Sequence, residues 1–413
     1  MDIKCLGGAS EVGRMAILVD TEKEKFLIDY GINVQDMKIP IQPPKDIRGV
    51  FLSHAHLDHC GLVPELYRRG YSGSVYTNPL TFDLSYLLLY DSIKVQKKKG
   101  QEPFYNELDI EKMMDKSYNI HYTKPVNFKS ATATIYDAGH VPGSSSVLIR
   151  SKKSVLYTGD INFIDTQLVR KADTSYKNID VLLCESTYTE KNHPNREKIV
   201  KQIREKAKNV LDNNGTFLLP CFAIGRTQEM LLIMSDLGYP VYLDGMGAEV
   251  TRLILSNPEN TNNYKKLKKA FGKARKIRKR NDRVSATKEP CIIITTAGML
   301  NGGPIHFYLK KLHKRENCEM VLTGYQVEGT VGRTILDTGR YVFENVDVKP
   351  RMKIGFMDFS AHCGRDHLVN YIKKINPGKV LPVHGSRTAE FAEELKGMGF
   401  DSYAPKNGEK ISV

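Results

Sequence analysis

The chain of 413 residues lacks the features that mark several other classes of protein. It has no uninterrupted apolar run of about 18 residues, the length that a membrane-spanning helix needs. Its first residues show no charged segment followed by an apolar one, the pattern of a secretory signal. Its seven cysteines contain no C-x-x-C pair, which argues against a disulfide framework and against a cysteine-ligated zinc finger. We therefore expect a cytoplasmic protein without a membrane segment.

Acidic residues are outnumbered, since Lys and Arg total 61 against 47 Asp and Glu, for a formal net charge of +14. Most of the excess lies between Tyr264 and Arg283, where eleven basic residues accompany a single acid, Asp282. Such a run is either a solvated helix face or a track for a polyanion. The second interpretation gains support if the chain also carries a site that cleaves phosphodiesters. A smaller basic cluster contains Lys94, Lys97, Lys98 and Lys99.

The length exceeds that of one ordinary domain, and the pattern of apolar runs changes along the chain. The first half has short β-rich runs separated by turns, and from about residue 195 helical and strand patterns alternate. Near the C-terminus the pattern returns to strand, helix and strand. This predicts an α/β protein in which one sandwich domain, 1–186 and 353–413, is interrupted by an inserted α/β domain, 187–352.

Histidine supplies 11 of the 413 residues, yet three of them fall in the stretch FLSHAHLDHCG, 51–61. His54 and His56 lie two apart on a segment predicted to be extended, so their rings can lean to one side. We predict that the chain then turns into a helix from Leu57 to Arg68, which carries Asp58 and His59 to a second position. Imidazole with carboxylate is the ligand set expected for zinc. A chance histidine-rich loop is the alternative.

Other titratable residues also follow apolar strands, where ligands gather in α/β sheets. Asp29, His140, Asp160, Glu185 and His384 each come at the end of such a run, as does the histidine cluster. A carboxylate placed between two ions about 3.5–4 Å apart is typical of two-metal hydrolases. Asp160 is our candidate for that bridging position.

At these residues the chain resembles the metallo-β-lactamase superfamily, in HAHLDH, AGHVPGS and YTGD. Further motifs narrow the resemblance to the β-CASP branch: LLCESTY, PCFAIGRTQEMLLIM, TTAGMLNGGP, TGYQVEGTVGRTIL, DFSAHCG and VLPVHG. Within that branch the sequence is most similar to the nuclease subunit of the cleavage and polyadenylation specificity factor and its archaeal relatives. The resemblance implies an αββα sandwich with an inserted β-CASP domain.

The resemblance also implies two zinc ions and the side chains that hold them. One ion would be bound by His54, His56 and His140, the other by Asp58, His59 and His384, with Asp160 between them. Asp29 would orient a ligand imidazole. The catalytic residues implied are Asp58, Asp160, Glu185 and His362.

The activity implied is metal-dependent hydrolysis of RNA phosphodiester bonds. His362, oriented by Glu185, is the candidate general acid for the leaving oxygen. Backbone amides at glycine-rich turns and at helix starts favour anions. On that ground we predict that substrate phosphate is contacted by Arg226, Thr227, Gly302, Gly303 and Ser360.

Several alternatives are weighed against this interpretation. A small-molecule hydrolase would not need the insertion, and a di-iron relative would carry an acid in place of His56. A DNA nuclease of the same branch typically has Val where this chain has His384, and an inactive scaffold subunit would have lost ligands. The form FSAH around His362 favours an endonuclease, with a 5′-to-3′ exonuclease left open. We expect single-stranded RNA as partner and leave a homodimer or larger assembly open.

Overall fold

The computed structural model describes all residues, Met1–Val413, which form two compact units. We call them the sandwich unit and the inserted unit. The sandwich unit comprises Met1–Ile164, Lys171–Asn192 and His362–Val413, and the inserted unit comprises Asp165–Arg170 and His193–Ala361. The last segment of the sandwich unit thus begins at His362, whereas the sequence patterns predict a return to the sandwich domain at residue 353.

The secondary structure consists of short strands and mostly short helices. The strands are β1 (Asp2–Gly7), β2 (Ala16–Asp20), β3 (Lys25–Ile28), β4 (Ile47–Phe51), β5 (Ser74–Thr77), β6 (Ser117–Asn119), β7 (Val126–Asn127), β8 (Thr132–Asp137), β9 (Ser145–Arg150), β10 (Ser154–Tyr157), β11 (Val181–Glu185), β12 (Thr216–Pro220), β13 (Val241–Asp244), β14 (Arg275–Lys276), β15 (Cys291–Thr295), β16 (Glu319–Leu322), β17 (Tyr341–Phe343), β18 (Val346–Val348), β19 (Lys353–Phe356), β20 (Lys379–Val383) and β21 (Lys410–Ser412). The helices are α1 (Leu57–Cys60), α2 (Val63–Arg68), α3 (Pro79–Lys98), α4 (Glu107–Asp115), α5 (Arg196–Asp212), α6 (Arg226–Met234), α7 (Gly247–Ser256), α8 (Tyr264–Lys273), α9 (Arg280–Ala286), α10 (Ile305–Leu312), α11 (Val331–Thr338), α12 (Arg365–Ile375) and α13 (Thr388–Gly397). No helix combines the length and the apolar composition needed to cross a lipid bilayer.

The sandwich unit packs two sheets face to face, with helices on both outer sides. Their strand orders are β21-β1-β2-β3-β4-β5-β6 and β20-β11-β10-β9-β8-β7. Both faces of the first sheet are apolar, as alternate side chains along β3 show. Phe26 and Ile28 enter the core between the sheets, whereas Leu27 faces the core beneath the helices. On the second sheet Leu148 and Leu368, a residue of α12, share the other outer core. The αββα prediction is confirmed.

The inserted unit is built on a parallel sheet in the order β14-β13-β15-β12-β16-β19. Every residue of β12 and β15 is buried, as expected of parallel strands covered on both faces. The strand β19 pairs with β16, from Glu319 opposite Lys353 to Leu322 opposite Phe356, which accounts for the difference between the predicted boundary and the compact units. Residues 353–356 are a strand as predicted, but they belong to the inserted sheet.

The predicted helix from Leu57 to Arg68 is two helices, α1 and α2, separated at Gly61 and Leu62. Pro64 lies in the first turn of α2, where its missing N–H costs nothing, whereas in a continuous helix its ring would clash with a carbonyl one turn earlier. The backbone N–H of Leu62 instead donates to the Tyr30 carbonyl at 2.8 Å. As a result α1 is a single turn, which carries Asp58 and His59.

Candidate metal centre

The carboxyl ends of parallel strands deliver most of the titratable cluster. In the first sheet, β3 and β4 are parallel with Ile28 opposite Phe51, so Asp29 and the histidine loop leave from the same edge. In the second sheet, β10, β11 and β20 are parallel, and Glu185 lies opposite Val383, the residue before His384. All of these residues lie within the sandwich unit. The arrangement matches the crevice beyond strand ends where α/β proteins bind ligands.

The first group of donor atoms comes from His54, His56, His140 and Asp160, which lie within 4.8 Å of one another. The extended backbone of His56, with ψ of 144°, lets its Nδ1 lie 3.0 Å from His54 Nε2 and 3.3 Å from His140 Nε2. Asp160 Oδ2 is 3.5 Å from both His54 Nε2 and His140 Nε2. Three imidazole nitrogens and one carboxylate oxygen therefore surround one position.

The second group consists of Asp58, His59 and His384. Asp58 Oδ2 is 3.8 Å from His59 Nε2 and 3.5 Å from His384 Nε2. The other oxygen of Asp160, Oδ1, is 3.4 Å from His59 Nε2 and 3.3 Å from His384 Nδ1. Asp160 thus turns one oxygen toward each group, the geometry that a bridging carboxylate requires.

Three donor atoms in the cluster are buried without a hydrogen-bond partner: His59 Nε2, His384 Nε2 and Asp160 Oδ1. A buried polar atom left unsatisfied costs about 1–3 kcal/mol, so several together at one point call for an explanation. Nitrogen and carboxylate oxygen are the donors that zinc and similar divalent ions take in proteins. The residues present therefore fit a metal centre.

A hydrogen-bond network behind the cluster fixes the orientation of His59. Its Nδ1–H donates to Asp29 Oδ2 at 2.8 Å, which leaves Nε2 pointing at the other carboxylates. Asp29 accepts two further bonds, from Ser53 N–H at 2.8 Å and from the Ser53 hydroxyl at 2.7 Å. Both Asp29 and His59 are fully buried. This is the orienting position that the sequence resemblance implies for Asp29.

The carboxylates and imidazoles shift one another's pKa. Burial raises the pKa of Asp160, but the imidazoles of His384 and His59 outweigh it and hold that pKa well below its usual range. Burial lowers the pKa of His54 far below its usual value, and neighbouring His59 adds to the effect. For His59, burial acts in the same direction, yet the nearby carboxylates raise the pKa to about 10. An ion binding here would therefore displace a proton from His59.

His362 and Glu185 form a pair beside the cluster. Glu185 is fixed by the Ile161 N–H at 2.9 Å, and its two oxygens lie 3.0 and 3.2 Å from His362 Nδ1. His362 Nε2 is 3.8 Å from Asp160 Oδ2. Burial lowers the pKa of His362, but Glu185 and Asp160 outweigh it and raise the pKa to about 9. Glu185 and Asp160 thus favour the protonated form of this imidazole.

Accessibility differs within the site and defines its open side. The side chains of His362 and Asp58 are 20% and 25% exposed, whereas that of Asp160 is only 3% exposed. His56 is also partly exposed, whereas the remaining histidines of the two groups are buried. A ligand would therefore approach along the side lined by His56, Asp58 and His362.

Sequence reasoning missed three residues that shape the site. Ser53 supports Asp29, and the Thr187 hydroxyl lies 3.2 Å from His384 Nδ1. Gly31 passes so close to α1 that a Cβ would lie 1.8 Å from the Asp58 carbonyl oxygen. Ser53 directly precedes the motif HAHLDH and Thr187 lies within the motif LLCESTY, so proximity to a motif was an available signal. Nothing in the sequence signals the close approach at Gly31.

Arg226 and Thr227, two of the predicted substrate contacts, begin α6 in the inserted unit. The Arg226 guanidinium is buried and donates to Glu229 Oε2 at 2.6 Å. The Thr227 hydroxyl donates to the Phe222 carbonyl at 2.7 Å. Both side chains therefore have internal partners, and their contact with substrate stays a prediction.

The other predicted substrate contacts in the inserted unit are Gly302, Gly303 and Ser360. Both glycines have positive φ, 157° and 80°, and a Cβ on Gly302 would meet nothing within 4 Å. Ser360 is buried, and its carbonyl accepts a bond from Arg196 at 2.6 Å. Their role in binding also stays a prediction.

The two-sheet sandwich and the paired donor groups define a metal-dependent hydrolase of the metallo-β-lactamase type. Family models match three segments: the metallo-beta-lactamase superfamily over residues 10–185, the Beta-Casp domain over 227–335, and a Zn-dependent metallo-hydrolase RNA specificity domain over 347–405. The chain belongs to the β-CASP branch of the metallo-β-lactamase superfamily, which confirms the resemblance seen in the motifs.

Archaeal relatives match the whole chain. A protein named probable RNase MJ4 from Methanocaldococcus jannaschii is 38% identical, over the full length of both chains. RNase aCSPSF2 from Saccharolobus solfataricus is 36% identical, over all of this chain and 85% of that protein. Transcription termination factor FttA from M. jannaschii is 33% identical, over all of this chain and 71% of that protein. A solved structure from Enterococcus faecalis, described as of unknown function, shares the fold with a TM-score of 0.64 at 16% identity, covering all of this chain and 99% of that one.

Proposed function

We propose that this protein is a zinc-dependent ribonuclease that cleaves single-stranded RNA in processing, termination or decay. The observation that carries the proposal is the placement of Asp160 between two groups of donor atoms, with the His362–Glu185 pair at their open side. The match to an RNA specificity domain and the ribonuclease names of two relatives support RNA as the substrate.

The proposed cofactor is a pair of zinc ions. His54, His56 and His140 would hold one ion, and Asp58, His59 and His384 the other, with Asp160 shared. Zinc supplies Lewis acidity, which lowers the pKa of water toward about 7 and stabilises charge on a phosphoryl oxygen. The chain contributes by fixing the ligand tautomers, as Asp29 does for His59.

In the proposed reaction His362 is the general acid. Its Nε2–H faces the cluster, and its Nδ1–H is held by Glu185, so it can pass the Nε2 proton to the alkoxide that leaves when the P–O bond breaks. Glu185 keeps the imidazole oriented and raises its pKa, which favours the protonated form that a general acid needs. Asp58, partly exposed at the same side, would adjoin the phosphodiester as it enters.

Endonuclease action is the favoured mode, because the FSAH form around His362 resembles the endonuclease members of the branch. Cleavage of a long unstructured RNA labelled at either end tests both the chemistry and the mode. Internal cuts seen with both labels, abolished by EDTA and restored by zinc, are expected. Products that shorten only from the 5′ end would establish an exonuclease instead. Preference for single-stranded DNA of the same sequence, or zinc-independent cleavage, would overturn the proposal.

A further inference from the structure

The inserted unit carries an exposed surface of one charge, formed by α8, the residues after β14 and the start of α9. Eight of its cationic side chains are exposed, and none of the eight forms an ion pair. We call this the basic surface, and its members are Lys265, Lys266, Lys268, Lys269, Lys273, Arg278, Lys279 and Arg280. The stretch from Tyr264 to Arg283 contains one acid, Asp282, whose carboxylate accepts from the backbone N–H groups of Arg278 and Lys279.

The other three cations of the same stretch have partners within the folded protein. Arg283 donates twice to Asp244, at 2.7 and 3.1 Å. Arg275 pairs with Glu289. Lys276 donates to the Phe271 carbonyl and lies over the Phe271 ring. The basic surface thus consists of the cations of this stretch that form no ion pair within the protein.

The lysines of α8 are held outward by the packing of its other face. Leu267 and Ala270 are buried, at 0% and 3% exposure, so the four lysines around them at 265, 266, 268 and 269 face solvent. Like charges this close on a helix repel one another and destabilise it. A purely solvated helix avoids that cost by mixing signs, as α5 does.

The contrast with α5 shows what ordinary solvation looks like in this unit. That helix is also rich in lysine, but Lys206 pairs with Glu319 at 2.7 Å and Arg204 pairs with Asp236. On α8 none of the lysines forms a salt bridge, and only Lys266 lies near enough to a carboxylate, that of Asp236, to lower its pKa. The field of the surface therefore stays positive. A polyanion is the partner that such a surface fits.

Aromatic rings lie among these cations. The Lys268 Nζ is 5.9 Å from the centre of the Tyr264 ring, and both rings, Tyr264 and Phe271, are partly exposed. Proteins that bind single-stranded nucleic acid combine a positive path for the backbone with aromatic faces on which bases stack. Duplexes offer no exposed base faces, so these rings favour a single strand.

We infer that the basic surface is a sequence-independent binding site for single-stranded RNA, separate from the residues of the metal centre. The inference rests on the proposed ribonuclease function for its choice of RNA over other polyanions. It deepens that function, because long substrates would then be held by phosphate contacts on the inserted unit as well as by the metal centre.

The test is RNA affinity in the whole protein, measured by fluorescence anisotropy with labelled oligouridine in EDTA. If about five phosphates are neutralised, log affinity falls with log salt at a slope of roughly −3.5. Replacing Lys265, Lys266, Lys268 and Lys269 together by Gln removes four of these contacts. We expect affinity at physiological salt to fall on the order of a hundredfold and the slope to flatten by as much as about 2.8.

The matched control replaces Lys94, Lys97, Lys98 and Lys99 by Gln, because these four exposed lysines of the sandwich unit carry the same total charge. An unchanged slope in the control together with a flattened slope in the α8 variant supports the inference. Equal losses in both variants, tighter binding of an acidic peptide than of RNA, or an unchanged α8 variant would overturn it. Because EDTA stops any hydrolysis, binding is judged apart from cleavage, which the end-labelled assay tests alone.

Discussion

The sandwich unit gathers its functional side chains from positions between 29 and 384, whereas the basic surface of the inserted unit comes from one stretch of about twenty residues. The side chains of the first set are mostly buried, and their donor atoms lie within 4 Å of a neighbouring donor atom, as those of His54, His59 and His384 do with Asp160. The second is exposed, and its members act through summed charge. Loss of one shared ligand should therefore disable the first site, whereas loss of one cation should only weaken the second, and mutations can test that difference.

The largest effect is expected from Asp160→Ala. Asp160 places one oxygen in each donor group, so its loss should remove bound metal and reduce RNA cleavage by about 10⁴-fold or more, since metal stabilisation of developing charge is worth several kcal/mol. Zinc content by mass spectrometry and cleavage rate are the two measurements.

Asp401→Ala is the control for this substitution, because Asp401 is an exposed residue of the same unit that pairs only with Lys379. It should leave zinc content and rate unchanged. An Asp160→Ala protein that still holds two zinc ions per chain would show that the cluster does not bind metal in the way its geometry suggests.

His362→Ala separates catalysis from metal binding. His362 lies beside the donor groups but is held by Glu185, so its removal should lower kcat by about 10²–10⁴-fold while zinc content stays at the wild-type level. Because Asp160, Glu185 and His362 could themselves form a ligand group, loss of zinc in this variant would reassign His362 as a ligand. Glu185→Gln should lower kcat less, since the imidazole remains.

An intermediate effect is expected from Asp29→Asn, which weakens the acceptor that orients His59. Removing such a partner typically costs 10–100-fold in metal affinity. Competition with a chelating dye measures this directly, and Asp46→Asn, at an exposed pair with Lys25, is the control. Wild-type zinc affinity in Asp29→Asn would mean that the hydrogen bond from His59 Nδ1, although 2.8 Å long, does not tune the site.

The metal centre could be predicted in outline because strand ends are visible in sequence. Apolar runs followed by Asp, His or Glu predicted that Asp29, Asp160 and His384 leave from strand ends, and parallel pairing makes those ends meet. The sandwich with its insertion followed from the same patterns and from the family motifs. These patterns show which residues form strands and which side chains follow each strand.

Features that depend on a distant partner could not be predicted. The run KIGF reads as a strand in either unit, and only its pairing with β16 assigns it to the inserted sheet. The break between α1 and α2 depends on the Tyr30 carbonyl, which captures the N–H of Leu62. Likewise, nothing local distinguishes Lys276 and Arg283 from the exposed cations beside them, since their partners lie elsewhere in the fold.

The smallest effect on RNA binding is expected from Arg283→Gln. This substitution gives the sharpest test of the distinction between internally paired and exposed cations of the basic stretch. Arg283 belongs to the basic stretch in sequence, but its guanidinium is committed to Asp244, whose side chain is 1% exposed. Losing this partner should destabilise the fold by about 1–3 kcal/mol, seen as a lower Tm in calorimetry. The salt slope of RNA binding should change by less than one phosphate contact, about 0.7. Lys269→Gln should show the reverse, a flatter slope with an unchanged Tm. If Arg283→Gln flattens the slope as much as Lys269→Gln does, internal pairing does not divide the cations of this stretch into two classes.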